Sequence, residues 1–143
     1  MTPTNNGIDQ KLFARLLESI KEAPFYKLLG IELESIAPGR SVFIMEARRE
    51  HTNSIGMLQG GLVSSLADTS MGIAVRSLGV NAVTVDLSIG FTAPARLGET
   101  LRAAGSVVKA GQDIFFTETR VMVGERLIAY CKGTFYKVAE LDY

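Results

Sequence analysis

The twenty residues HTNSIGMLQGGLVSSLADTS (51–70) contain the chain's only histidine, His51, and most of the groups that could do chemistry. Asp68 stands inside an otherwise apolar run. An unpaired carboxylate is costly to bury, and burial raises its pKa and makes it a better base. Asp68 is either a general base, a helix carboxylate that faces solvent, or a buried acid satisfied by a neighbour such as Ser64 or Ser65. The Gly60-Gly61 pair begins the same run. At a helix N-terminus, free backbone N–H groups and the positive end of the helix dipole can hold developing negative charge, and missing side chains let a carbonyl oxygen approach. The same pair could simply close a loop.

Spacing constrains how these groups could cooperate. Gly60 and Asp68 are eight residues apart, about 12 Å along one helix, too far to act on a single carbonyl. Two antiparallel copies of the helix would bring Gly60 of one chain to Asp68 of the other, so the spacing predicts a two-fold homodimer with two shared sites. The small residues Gly61, Ser64, Ser65 and Gly72 form a stripe that permits close approach. Asn53 is either a turn residue or a holder of water or substrate. Gln59 offers a polar side chain at the helix entrance and cannot act as a base. His51 reads as structural.

The elements that must position these residues are legible from periodicity. Leu12, Leu16, Leu17 and Ile20 mark an amphipathic helix over 9–22, with Asp9 as N-cap and Pro24 as the stop. Strands are expected at 30–37 and 41–49, separated by a Pro-Gly turn. Residues 61–78 are apolar around nearly the whole helical circumference, which predicts a central, buried helix capped by Gly79. Strands follow at 83–91, 100–109, 113–123 and 126–138. In the first of these, Val83, Val85, Leu87, Ile89 and Phe91 alternate strictly and are expected on one face. This order predicts an α+β fold in one domain spanning 1–143: an antiparallel sheet wrapped around a long central helix, with the first helix packed outside and residues 1–8 as a flexible tail.

Composition narrows the function. Lys+Arg and Asp+Glu number 15 each, so no net field recruits nucleic acid or an anionic membrane. No apolar run approaches the roughly 20 residues of a membrane span, and MTPTNNGIDQ lacks the pattern of a secretory leader. A cytoplasmic protein is expected, or one of the mitochondrial matrix if the source is eukaryotic. Cys131 is the only cysteine, which rules out an internal disulfide, and one His with one Cys cannot make a typical zinc site. No metal and no cofactor are expected. Nucleophile-elbow, Walker and dinucleotide-binding motifs are absent, so any catalysis rests on a carboxylate, amides and backbone donors.

The pattern H-T-N-x-I-G-x-L-x-G-G-L-x-x-x-L-x-D closely resembles the hotdog-fold acyl-CoA thioesterases of the phenylacetate-pathway (PaaI-like) type. The likeness extends through VTVDLSIGFTAPARLGE (83–99) and GERLIAYCKGTF (124–135), and covers roughly 25–138. The resemblance implies a hotdog fold, a homodimer often doubled to a tetramer, and hydrolysis of an acyl-CoA thioester. Asp68 matches the family's catalytic acid, which activates water or attacks directly. Gly60 matches the backbone donor to the thioester carbonyl, given across the interface. Asn53 matches a residue that holds substrate or water, and Thr84 falls near a family serine that assists the water. The family usually has His-Gly-Gly where this chain has Gln59-Gly60-Gly61. Glutamine keeps hydrogen-bonding capacity but cannot be protonated.

An acyl tunnel lined by Met57, Leu58, Met71 and Phe91, with Gly61 and Ser64 beside it, would suit a medium or long chain or an aromatic acyl group. Arg96 and Lys109 are candidates for the CoA phosphates. Two competing readings are a non-catalytic acyl-CoA or acyl-chain binding hotdog protein and a related hotdog dehydratase, which would need a histidine that this motif does not supply.

Overall fold

The computed structural model describes residues 1–143. Helices α1 (Gln10–Glu22), α2 (Pro24–Leu29) and α3 (Gly60–Arg76) accompany strands β1 (Thr4–Asn5), β2 (Glu32–Ala37), β3 (Arg40–Glu46), β4 (Val80–Phe91), β5 (Thr100–Ala110), β6 (Ile114–Val123) and β7 (Arg126–Glu140). The strands form one sheet in the order β1-β2-β3-β5-β6-β7-β4. All neighbours run antiparallel except β1, which pairs parallel with β2. The sheet curls around α3, which is the hotdog arrangement expected from the sequence.

Asp9 caps α1 as predicted, its Oδ1 accepting from Lys11 N at 2.8 Å and Leu12 N at 3.2 Å. Leu12, Leu16 and Ile20 bury the inner face of α1 in the common core. Pro24 does stop α1, but it also occupies the first position of α2, where its missing N–H costs nothing. The sequence reading missed that second helix. Residues 1–8, expected as a tail, contain β1 and a buried Ile8.

Why α3 can lie so close to the sheet is clearest at Gly105 on β5. A Cβ there would sit 2.4 Å from the Ser70 carbonyl carbon and oxygen, so only glycine permits the approach. The Ser41 hydroxyl on β3 donates to the same Ser70 carbonyl at 2.6 Å and ties the helix down. The helix ends at Arg76 with Ser77 as its cap, two residues before the expected Leu78, and Gly79 takes positive φ just beyond.

The edge strand β4 departs most from its expected pattern. Thr84 pairs with Phe135 and Asp86 with Thr134, so Val85 is an extra, bulged residue. A bulge reverses which side chains face inward. Leu87, Ile89 and Phe91 pair with Gly133, Cys131 and Ala129 and face α3, whereas Val83 pairs with Tyr136 on the outer face. The predicted single face of five apolar residues is thus split, and Thr84 turns inward. As an edge strand with one neighbour, β4 leaves Leu87 38% and Phe91 53% exposed although both point toward the helix side.

Candidate active site

The inward turn at the bulge brings Thr84 to Asp68. The Thr84 hydroxyl donates to Asp68 Oδ1 at 2.7 Å. Ser64 and Ser65, considered as partners for the carboxylate, donate instead to the Gly60 and Gly61 carbonyls one turn back, at 2.9 and 2.8 Å. Asp68 is partly buried, and desolvation pushes its carboxyl above the ordinary range while the Thr84 bond pulls it partly back. One carboxylate oxygen remains free to accept a proton. The carboxylate opens into a cleft of about 690 Å³ whose walls include Gly72, Ala82, Val83, Phe135 and Val138. Tyr26, Arg76 and Asn81 also line it. None of these three was singled out from the sequence. The only advance signal was that Arg76 follows Asp68 and Gly72 at four-residue steps.

The N-terminus of α3 lies in a different place. Leu62 N and Val63 N both fold back to the Gln59 carbonyl, at 3.0 and 3.4 Å, which leaves the Gly60 and Gly61 N–H groups as free donors. Gly60 lines a second cleft of about 380 Å³ together with Met57, Leu58, Phe91, Ala95 and Ile128. A Cβ on Gly60 would lie 3.1 Å from the tip of the Phe91 ring. Within one chain, therefore, Asp68 and Gly60 address separate clefts, as their spacing along the helix requires.

Asn53 serves its loop. Its Oδ1 accepts from Ile55 N and Met57 N, both at 3.0 Å, and only the amide nitrogen is left for a ligand. Gln59 is the N-cap of α3, and its side chain makes no capping bond. It lines a third recess with His51, Gly61 and Ser65. His51 is buried, and its Nδ1 accepts from Arg48 N at 3.0 Å, a structural role. Met71 is wholly buried in the core and lines none of these clefts, contrary to the expected tunnel. Arg96 is exposed beside Ala95 at the Gly60 cleft, whereas Lys109 sits near the far end of β5, so one chain does not bring the two cations together. Cys131 is buried, and desolvation pushes its thiol up to about 11, away from reactivity.

A family model described as the thioesterase superfamily matches residues 55–130, more than half of the chain. The chain belongs to the thioesterase superfamily. Human acyl-coenzyme A thioesterase 13 is 39% identical over 100 residues, covering 68% of this chain and 71% of that protein. Acyl-coenzyme A thioesterase PaaI of Escherichia coli is 28% identical over 113 residues, covering 78% and 81%. The structure of the E. coli PaaI protein superposes with a TM-score of 0.89 at 24% identity, covering 94% of this chain and 99% of that one, a likeness of fold. The chain is a hotdog-fold thioesterase of the PaaI-like type. No helix of this thioesterase is long and apolar enough to cross a membrane.

Proposed function

We propose that this protein hydrolyses acyl-CoA thioesters to free acid and CoA, at two equivalent sites shared across a homodimer. The observation that carries the reading is the inward-facing Asp68–Thr84 pair in a cleft, with the free Gly60 N–H donor two helical turns away. Relatives named acyl-coenzyme A thioesterase support the substrate class.

In the proposed step, Asp68 takes a proton from water as the water oxygen bonds to the thioester carbonyl carbon. The N–H of Gly60 from the second subunit holds the resulting oxyanion. On collapse the carbon–sulfur bond breaks, and the proton on Asp68 passes to the departing CoA sulfur. Thr84 orients the carboxylate, and its donated hydrogen bond favours the ionised form. We assign Asn53, Gln59, Gly61 and Ser64 to hold substrate or water near the thioester, and Arg96, exposed beside the Gly60 cleft, to the CoA phosphates.

Edge strand β4 supports the dimer. Twelve residues long, with one free hydrogen-bonding edge and half-exposed inward apolar side chains, it suits pairing with its own copy. The outer face of the sheet exposes Ile114, Phe116 and Tyr136, which supports a further pairing of dimers into a tetramer.

A second reading, acyl-CoA binding without hydrolysis, rests on Gln59, whose side chain replaces an ionisable one at the helix entrance. Thiol release from a panel of acyl-CoAs, with Asp68→Asn beside the parent, separates the two. Hydrolysis lost by two or more orders of magnitude in the variant supports the thioesterase. Saturable binding with no thiol release from the parent supports the binding protein.

A further inference from the structure

Asp68, Gly72 and Arg76 follow each other at four-residue steps on α3, so they share one face and span about 12 Å from first to last. All three line the same cleft. Glycine at the middle position leaves the floor open between the two charged residues, and a Cβ there would meet the Phe135 ring at 3.4 Å. The reacting carboxylate stands at one end and a guanidinium at the other.

That guanidinium has no counter-charge. The ion pairs of the chain are Arg102–Glu34, Arg126–Glu99 and Lys137–Glu140, and none involves Arg76. Arg76 Nε donates to Asn81 Oδ1 at 3.2 Å and one terminal nitrogen to Ser19 Oγ at 3.0 Å. Both acceptors are neutral, so they orient the fork without neutralising it, and the remaining N–H donors are available. Arg76 is partly buried; burial lowers its pKa, Tyr26 beside it favours the charged form, and Arg15 adds like-charge repulsion. A desolvated cation held in a fixed orientation without an anion is a receptor for one.

Between the two ends the cleft has an apolar wall of Ile73, Ala82, Phe135 and Val138, with Tyr26 and Thr69 also lining it. The cleft therefore suits a chain with a reactive carbonyl at Asp68, an apolar middle and an anionic tip. Arg76 is the only cation among its lining residues, which does not fit the several phosphate charges of the CoA nucleotide.

We propose that Arg76 is a specificity-determining residue that receives a carboxylate at the far end of the acyl chain, making ω-carboxyacyl-CoA thioesters the preferred substrates. The inference rests on the acyl-CoA reading given above and names its substrate class. Asn81 and Ser19 are positioning residues that hold the fork.

Chain-matched pairs test it: adipoyl-CoA against hexanoyl-CoA and suberoyl-CoA against octanoyl-CoA. The parent protein is expected to favour the carboxylated member by about tenfold or more in kcat/KM. Arg76→Leu should erase that preference, lowering kcat/KM for the carboxylated member of each pair by about tenfold more than for its alkanoyl partner, and Arg76→Lys should keep part of it. Equal losses on all four substrates would mark Arg76 as structural or as a CoA contact and overturn the proposal. A parent that prefers the alkanoyl members overturns it whether or not Arg76→Leu folds. If no substrate is hydrolysed, the thioesterase reading fails separately. Calorimetric binding of adipoyl-CoA against hexanoyl-CoA then decides this one, with no tighter binding of adipoyl-CoA counting against it.

Discussion

The Thr84 hydroxyl reaches Asp68 Oδ1 at 2.7 Å because β4 bulges at the next residue, Val85. In an unbroken alternation Thr84 would face away from the side occupied by Leu87, Ile89 and Phe91. The bulge places a hydroxyl donor on the helix side at the level of Asp68. Bulges recur beside active sites because they re-aim single side chains in this way.

The raised carboxyl of Asp68 gives a stability prediction with a definite sign. Its folded pKa lies above its unfolded one, so the folded chain binds the extra proton between the two values. Stability therefore falls as pH rises through that window and stays lower above it. Asp68→Asn removes the desolvated charge and still lets Thr84 donate to an amide oxygen. The variant should melt at a higher temperature than the parent at neutral pH, with the difference shrinking as pH falls below the unfolded pKa. Melting curves at several pH values check this, and a variant less stable at neutral pH would contradict it.

Thr84→Val removes the bond that favours the ionised carboxylate. The Asp68 carboxyl should then move further upward, because burial is left unopposed. Activity needs the ionised form, so the acidic limb of the pH–rate profile should shift to higher pH, and kcat on the alkaline side should fall by about tenfold or more. Thr84→Ser should restore the parental profile. An unshifted acidic limb in Thr84→Val would separate Thr84 from the titration of Asp68.

Much of this site was legible in the sequence, for physical reasons. A carboxylate in an all-apolar helix violates the usual cost of burial, and a Gly-Gly at a helix start leaves donors bare, so Asp68 and Gly60 stood out. The role of Thr84 came only through family resemblance, since alternation along 83–91 carries no mark of the bulge at Val85. Arg76 was hidden because a basic residue in the last turn of a helix normally complements the dipole. Met71 was misplaced because apolar residues encircle α3, and periodicity does not say which of them face a cleft. Pro24 has two uses, stopping α1 and starting α2, whereas Asn53, which the sequence allows as a turn residue or a ligand holder, is seen with its Oδ1 engaged in the loop.

Gly105→Ala tests how tightly α3 is seated. Its new Cβ would lie 2.4 Å from the Ser70 carbonyl group and 2.8 Å from Met71 N, all backbone atoms that cannot swing aside. Helix and strand must separate, disturbing the Ser41–Ser70 bond and the helix that carries Asp68. A loss of about 2–4 kcal/mol is expected on denaturant unfolding, in the range of overpacked cores and severe single substitutions. A near-neutral result would mean that β5 and α3 are less tightly apposed than these distances require.

The proposed sharing of the site between two subunits makes the sharpest prediction, because two inactive proteins should then rescue each other. Asp68→Asn lacks the base, and Gly60→Ala places a methyl 3.1 Å from Phe91 where a carbonyl oxygen must approach the free N–H. In a mixed dimer the Asp68 of the second protein meets the Gly60 of the first, which restores one intact site and leaves the other doubly altered. After subunit exchange at equal concentrations, half of the dimers are mixed, so activity should return to about one quarter of the parental rate. Sites built within a single chain would give no recovery, since every subunit would keep its own lesion. Thiol release before and after exchange, with dimer formation followed by light scattering, measures the outcome. Recovery near one quarter requires both a dimer and the exchange of Gly60 and Asp68 between its halves.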